Sequence, residues 1–341
     1  MKTSLSHIIR RINMKSFEIL KFISSRENDI IHKATNNMYV RDVTLNVGIE
    51  NEVTIGLLSD IHINYCNEQD FAEADPVIMS TYENRKWNAN AESIPKLQRA
   101  FDFLDDMDQI VLCGDTLDYI SHGNMELMQR EIWDKHPEVL AVVGGHELHR
   151  KMQGKVDDPM TDEEKLDIIA GFWKHDIYYA AKLIKNKVLA IAMLDHEARF
   201  CDEQLQKLKE DLSRARQNGY AVLIFVHEPF ATHNPADREF RAEDTMHLGD
   251  PSGYPRDFCG GAARGSYMIG SDACDKTTRE VYELITHSAD VVKAVVAGHF
   301  HSDIHLDITA QTPDGTPSAI PQYISTALAY GSGHMMRIRI C

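Results

Sequence analysis

The sequence predicts an α/β domain whose functional residues sit at the carboxyl ends of strands. Two observations carry this reading. Apolar, strand-like runs alternate with helix-spaced segments through the first two-thirds of the chain, and strands cluster after that. Five stretches at the ends of apolar runs carry residues of the type that bind metals: Asp60-Ile61-His62, Gly114-Asp115-Thr116-Leu117-Asp118, Gly144-Gly145-His146-Glu147, His227-Glu228-Pro229 and Gly298-His299-Phe300-His301. Open α/β sheets place their sites at such strand ends.

Taken in order, residues 1–38 show helical spacing at Ile8, Ile9, Ile12, Phe17, Leu20 and Ile23, and Tyr39 to Val47 alternates as an edge strand does. We expect residues 1–50, this helix and edge strand, to pack on a main domain of residues 51–341. Val53 to Ser59 reads as a buried strand ending at Asp60, and residues 63–90 as a polar loop containing Asp70, Asp75 and Trp87. A helix follows over Ala91 to Asp105, with Pro95 in its first turn where proline is tolerated. Ile110 to Cys113 is a strand, Met125 to Lys135 a helix, and Val139 to Val143 a strand.

Lys151 to Met160 is a charged loop. Thr161 and Glu164 have the spacing of a capping box, opening a helix to about His175. Lys187 to Leu194 is a strand. Asp202 to Gln217 is an amphipathic helix stopped by Asn218-Gly219, and Tyr220 to Val226 is a strand ending at His227. Residues 228–275, rich in proline and glycine, read as a long inserted loop. A helix over Thr277 to Ser288 and a strand over Val291 to Ala297 lead to Gly298. Ile304 to Ile308, Ile320 to Ser325 and His334 to Ile340 complete the strands.

Bulk properties narrow the function. The chain has 341 residues, enough for a sizeable core, with 43% hydrophobic and 26% charged residues, as in a soluble globular protein. A net charge of −16 argues against broad capture of nucleic acid or an anionic membrane. It is compatible with a phosphate substrate, because bound metal inverts the local sign. Six cysteines without a CxxC pair point to free thiols in a reducing compartment. Phe17 to Ile23 is broken by Glu18 and Lys21, a poor signal peptide, and no stretch approaches a membrane span in length. A cytoplasmic protein is expected.

Histidine and aspartate together, without thiolates, favour Mn, Fe or Zn. Singly, each candidate has a plainer reading: Asp60 as a turn cap, His299 and His301 as strand-end histidines with bonded rings. Five such stretches in one chain favour a shared metal site. His149, His196, His233, His305 and His334 are read as exposed or structural, and Cys113 as a small core residue. Arg256 and Arg264 could contact a phosphate, with solvent exposure the plainer account.

The order DxH, GDxxD, a glycine–His–Glu stretch, His and GHxH, at Asp60/His62, Asp115/Asp118, Gly145/His146/Glu147, His227 and His299/His301, resembles the calcineurin-like metallophosphoesterase family over roughly residues 53–308. The resemblance implies a four-layer α/β/β/α sandwich of two mixed sheets, with a dinuclear site at the strand ends. It implies that Asp60, His62, Asp115 and His301 hold one metal, and that Asp115 bridges to a second held also by His227 and His299. It further implies in-line attack of a metal-bridging hydroxide on a phosphoric ester, with His146 protonating the leaving oxygen and Asp118 orienting the His146 ring. The substrate class, diester or monoester, stays open, as does the oligomeric state, and no feature for nucleic-acid readout is present.

Two positions depart from the family pattern. Gly145 stands where the family has a metal-binding asparagine, which keeps a second reading alive: a catalytically weakened binding or scaffold module. Tyr119 stands where the Ser/Thr phosphatases of the superfamily have arginine, placing the chain outside that branch.

Overall fold

The computed structural model describes residues 28–34, 37–85, 93–151, 156–195, 199–230, 232 and 275–341. The expected N-terminal helix, Trp87, His196, His233, Arg256, Arg264 and nearly all of the 228–275 loop lie outside these residues.

Two six-stranded mixed sheets form the body. The first has the order β1 (Asp29–Lys33), β2 (Tyr39–Leu45), β12 (His334–Ile340), β3 (Val53–Leu58), β4 (Gln109–Cys113), β5 (Leu140–Val142). The second has the order β10 (Ile304–Gln311), β11 (Pro317–Ile324), β9 (Val292–Ala297), β8 (Ala221–Phe225), β7 (Val188–Met193), β6 (Tyr179–Ile184). Strands β3, β4 and β5 run parallel, as do β7, β8 and β9. Parallel neighbours deliver their carboxyl ends to one edge, so each sheet gathers several candidate stretches at the same rim.

The helices, all among the described residues, are α1 (Glu68–Glu73), α2 (Pro76–Arg85), α3 (Ser93–Leu104), α4 (His122–Met128), α5 (Asp162–Phe172), α6 (Asp202–Asn218) and α7 (Lys276–Thr286). The side-chain alternation of the strands sorts the core into three layers. Val53, Ile55 and Leu57 of β3 face Leu223 and Phe225 of β8 and Val296 of β9 between the sheets. Leu58 turns outward onto Leu97, Phe101 and Leu104 of α3. Val222 and Ile224 of β8 turn outward onto Leu205, Leu208 and Leu212 of α6 and Val281 and Ile285 of α7. Apolar packing therefore runs helix, sheet, sheet, helix.

Several local expectations need correction. Residues 63–90 are not a plain loop. Asn67 and Asp70 form a capping box that starts α1, and Asp75 accepts hydrogen bonds from the Val77 and Ile78 N–H groups at the start of α2, with Pro76 as its first residue. These helices are short and weakly patterned, so caps rather than periodicity define them. Tyr39–Leu45 is an interior strand, because β1 (part of the segment read as helical) and β12 flank it. The helix expected from Met125 begins earlier, capped by Ser121, and continues as a π-turn over Gln129–Trp133. Strand β6 lacks a strand-like apolar run, because only its end residues Tyr179 and Ile184 are buried. It pairs with β7 across Lys185-Asn186-Lys187, with Lys185 and Asn186 at positive φ and the Lys187 N–H donating to the Ile184 carbonyl at 3.0 Å. The Thr161–Glu164 capping box and the Gly219 helix stop are present as read.

One buried ion pair links the two sheets. Arg41 on β2 donates to both carboxylate oxygens of Asp29 at 2.7 Å, and to the carbonyls of Ile304 (3.1 Å) and Ile324 (2.9 Å) in the second sheet. Burial alone would raise the Asp29 pKa, but Arg41 and His305 overcome it and hold the carboxyl well below the usual range. Its stabilisation is therefore present above the ordinary carboxylate pKa of about 4 and lost as pH falls further. Arg41→Met should cost about 3–5 kcal/mol in urea unfolding by stranding Asp29, and adding Asp29→Leu should recover most of that loss. A single-variant cost below about 1 kcal/mol would show that the pair does not hold the sheets together.

Candidate metal centre

The predicted site residues meet where the carboxyl ends of β3, β4 and β5 face those of β8 and β9. Three groups of ligand atoms each converge within 4.8 Å: Asp60, His62, Asp115 and His301; Asp115, His227 and His299; and His62, Asp118 and His146. All eight candidates are thus brought together, and Asp115 belongs to two groups.

The backbone turns sharply to do this. Asp60, His62, Asp115, His299 and His301 all have positive φ, between 50° and 68°. Such backbone is disfavoured for non-glycine residues and persists only where surrounding contacts enforce it. Glycines let the turns approach each other. A Cβ at Gly144 would stand 2.5 Å from the Asp115 N and Oδ1 and 3.0 Å from the His227 ring. A Cβ at Gly298 would collide with Ser59 Oγ and lie 2.6 Å from Asp60 Oδ2. At Gly145 the space within 4 Å is open and φ is an ordinary −65°.

Asp60 and Asp115 are each held by one oxygen and offer the other. Asp60 Oδ2 accepts from Ser59 Oγ (2.5 Å) and the His299 N–H (3.1 Å), while Oδ1 lies 3.0 Å from His301 Nε2 without a hydrogen bond. Asp115 Oδ1 accepts from the His146 N–H at 2.9 Å, and Oδ2 faces His227 Nε2 at 3.1 Å. The imidazoles are likewise fixed through one nitrogen. His227 Nδ1 donates to the Cys113 carbonyl at 2.9 Å, because a carbonyl only accepts. Neutral His227 therefore aims the Nε2 lone pair at the Asp115 carboxylate, and Nε2 has no hydrogen-bond partner. His62 Nδ1 donates to Asp118 Oδ1 at 3.1 Å, leaving its Nε2 3.2 Å from His301 Nε2.

Acceptor atoms pressed together in a buried space require a cation between them. The proton affinities report the same demand. Burial would lower the His227 pKa, yet Asp115 raises it well above the ordinary value. Burial would raise the Asp60 pKa, yet His301 brings it down to about 2. Burial and His227 together depress His299 to about 3, so its ring stays neutral, the state that binds metals. The donor set, carboxylate and imidazole with bonded outer atoms, fits divalent transition metals.

His146 differs from the others. Its Nδ1 lies 3.0 Å from Asp118 Oδ1 and 2.9 Å from the Asp118 carbonyl, and its Nε2 is 3.8 Å from Asp115. Burial lowers its pKa, but Asp115 and Asp118 raise it to about 9. The carboxylate of Glu147 accepts from the N–H groups of Asp115 (3.0 Å), Leu117 (2.9 Å) and Gly144 (2.7 Å), tying two strand ends together.

Sequence reading missed Arg85, which comes from α2 and contacts Asp118, because no spacing rule links a helix in a presumed loop to a strand end. Ser59 and Gly298 were visible as neighbours of ligand residues, without a role. Cys113 is buried as expected, its thiol donating to the Val226 carbonyl. His149, His305 and His334 stand outside the three converging groups. Among the described residues no helix is long and apolar enough to cross a membrane.

A family model described as calcineurin-like phosphoesterase matches residues 53–303. No curated protein matches the chain. Among solved structures, a dimetal phosphatase from Danio rerio is 13% identical with a TM-score of 0.41, covering 81% of this chain and 87% of its own. The purple acid phosphatase PPD1 from yellow lupin (Lupinus luteus) is 10% identical with a TM-score of 0.43, covering 91% of this chain, which spans 48% of that enzyme. A structure of PhoD is 11% identical with a TM-score of 0.43, covering 86% of this chain and 60% of its own.

The glycines supply a direct check on this packing. Gly298→Ala should cost about 1–3 kcal/mol by overpacking, whereas Gly145→Ala should stay within about 0.5 kcal/mol of the parent. Equal effects of the two substitutions on urea unfolding would contradict the packing described.

Proposed function

The chain belongs to the calcineurin-like phosphoesterase family, and from that premise we propose that it is a dinuclear metal-dependent hydrolase of phosphoric esters. The observation that carries the reading is the convergence of buried carboxylate and imidazole acceptors on two adjoining pockets that share Asp115. In this reading Asp60, His62, Asp115 and His301 hold one ion, and Asp115, His227 and His299 hold the other. Bound Mn, Fe or Zn would supply an activated water and neutralise charge on the phosphate.

The chain's own residues then have separable tasks. His227 is locked by the Cys113 carbonyl so that Nε2 faces the pocket. His146 is held through Nδ1 by Asp118, and in its protonated form the Nε2–H faces the site and can protonate a leaving oxygen. Without metal, the Asp115 and Asp118 carboxylates beside it raise its proton affinity. The substrate is a phosphoester, diester or monoester, and a cytoplasmic setting is the one the free thiols favour.

Gly145 supports a second reading. The pocket of Asp115, His227 and His299 has three donors against four in its neighbour, and Gly145 offers no side chain where the family pattern has a metal-binding asparagine. A weakly filled second pocket would make the chain a binding or scaffold module. Hydrolysis of a nitrophenyl phosphodiester and its monoester by metal-stripped, Mn²⁺-reloaded protein separates the two. Metal-dependent turnover that falls about 10²–10⁴-fold in His146→Ala, with Mn²⁺ affinity retained, supports the hydrolase. Turnover confined to Gly145→Asn supports the weakened module. Activity untouched by His146→Ala would refute the assigned proton donor.

A further inference from the structure

Asp118 is the most heavily bonded carboxylate in the site, and its strongest partner lies outside all five strand-end stretches. Arg85 donates from Nη2 to Asp118 Oδ1 at 2.6 Å and from Nε to Asp118 Oδ2 at 2.8 Å, a two-point fork. The same Oδ1 accepts from His62 Nδ1 at 3.1 Å and lies 3.0 Å from His146 Nδ1, whose hydrogen bond goes to the Asp118 carbonyl at 2.9 Å, and Oδ2 accepts from Asn64 Nδ2 at 3.3 Å. Both Asp118 and Arg85 are buried. Asp118 thus faces two imidazoles at once: its Oδ1 holds a proposed metal ligand, and its Oδ1 and carbonyl flank Nδ1 of the proposed proton donor.

We propose that Arg85 is a positioning residue for the hydrolytic reaction, fixing the Asp118 carboxylate plane so that Oδ1 can orient His62 and His146 together. The proposal rests on the phosphoesterase reading above. A carboxylate can rotate about its terminal bond, and a single donor would leave that rotation free. The planar fork of arginine removes it, and the point charge of lysine would not. Arg85 is itself held on a rigid support. Thr81 on α2 donates to the Arg150 carbonyl at 2.9 Å, and Arg150 pairs with Asp75 at the start of α2 and with Asp158 at 3.0 Å. The helix that carries Arg85 is therefore strapped to the body, as an exact geometry at the site demands.

The arrangement makes a prediction that a charge-only or substrate-binding role does not. Groups that orient a metal ligand from behind typically change metal affinity or activity about 10–100-fold when removed. Arg85→Lys should lower kcat by about that factor and weaken Mn²⁺ binding about 10-fold through His62, while KM changes less than about 3-fold. Arg85→Ala should behave similarly, and added methylguanidinium should restore its kcat where methylammonium does not. That rescue is read on the variant itself and stays informative should its thermal midpoint fall.

Full activity and Mn²⁺ affinity in Arg85→Lys would overturn the proposal, since charge alone would suffice. A rise in KM and in the inhibition constant of inorganic phosphate, with kcat and Mn²⁺ affinity unchanged, would overturn it in favour of direct substrate contact. A thermal midpoint lowered in both variants, with kcat and Mn²⁺ affinity intact in the folded protein, would reduce Arg85 to a structural residue. Parent protein that neither binds Mn²⁺ nor turns over would remove the phosphoesterase reading and this proposal together.

Discussion

The Asp115 carboxylate is the point on which the site depends. It is 3% exposed, it follows the central parallel strand β4, and it contributes to two of the three converging groups of donors. A buried carboxylate is tolerated only with compensating charge or hydrogen bonds. One of its oxygens is satisfied by the His146 N–H, and the other faces a histidine whose hydrogen-bonding proton is engaged elsewhere. The fold surrounds this carboxylate with imidazoles and a second carboxylate, groups that can hold a cation. That is why the two pockets adjoin.

The means by which the fold achieves this lie in the strand ends. Parallel order within each sheet sends neighbouring carboxyl ends to one rim, and packing of the two sheets brings the rims face to face. Left-handed backbone at Asp60, His62, Asp115, His299 and His301 then redirects the chain so that short side chains reach inward. Gly114, Gly144 and Gly298 remove the Cβ atoms that would hold these turns apart. Glu147 gathers three N–H groups from two of the turns. The local backbone cost of the site, of order 1 kcal/mol or more per strained residue, is offset by the core on either side.

Much of this was legible in the sequence, for a physical reason. A buried parallel strand is a continuous apolar run, and a ligand just past its end must sit at the rim, so Asp60, Asp115, His146, His227 and His299 could be placed without a structure. What was not legible depends on contacts across long sequence separations. Strand β1 and the interior position of β2 follow from the return of β12 between β2 and β3, and from the buried Arg41–Asp29 pair. Helices α1 and α2 are made by caps at Asn67 and Asp75, in a stretch whose composition reads as loop. Arg85 could be found only once α2 was seen to lie against Asp118.

The central claim is that one carboxylate serves two ions, and metal stoichiometry tests it most directly. Mn²⁺ would be titrated calorimetrically into the parent, Asp60→Asn, His299→Ala and Asp115→Asn proteins, with folding checked by circular dichroism. The account predicts two ions in the parent, loss of one site in Asp60→Asn, loss of the other in His299→Ala, and weakening of both by Asp115→Asn. An Asp115→Asn protein that still binds two ions with parent affinity would contradict it.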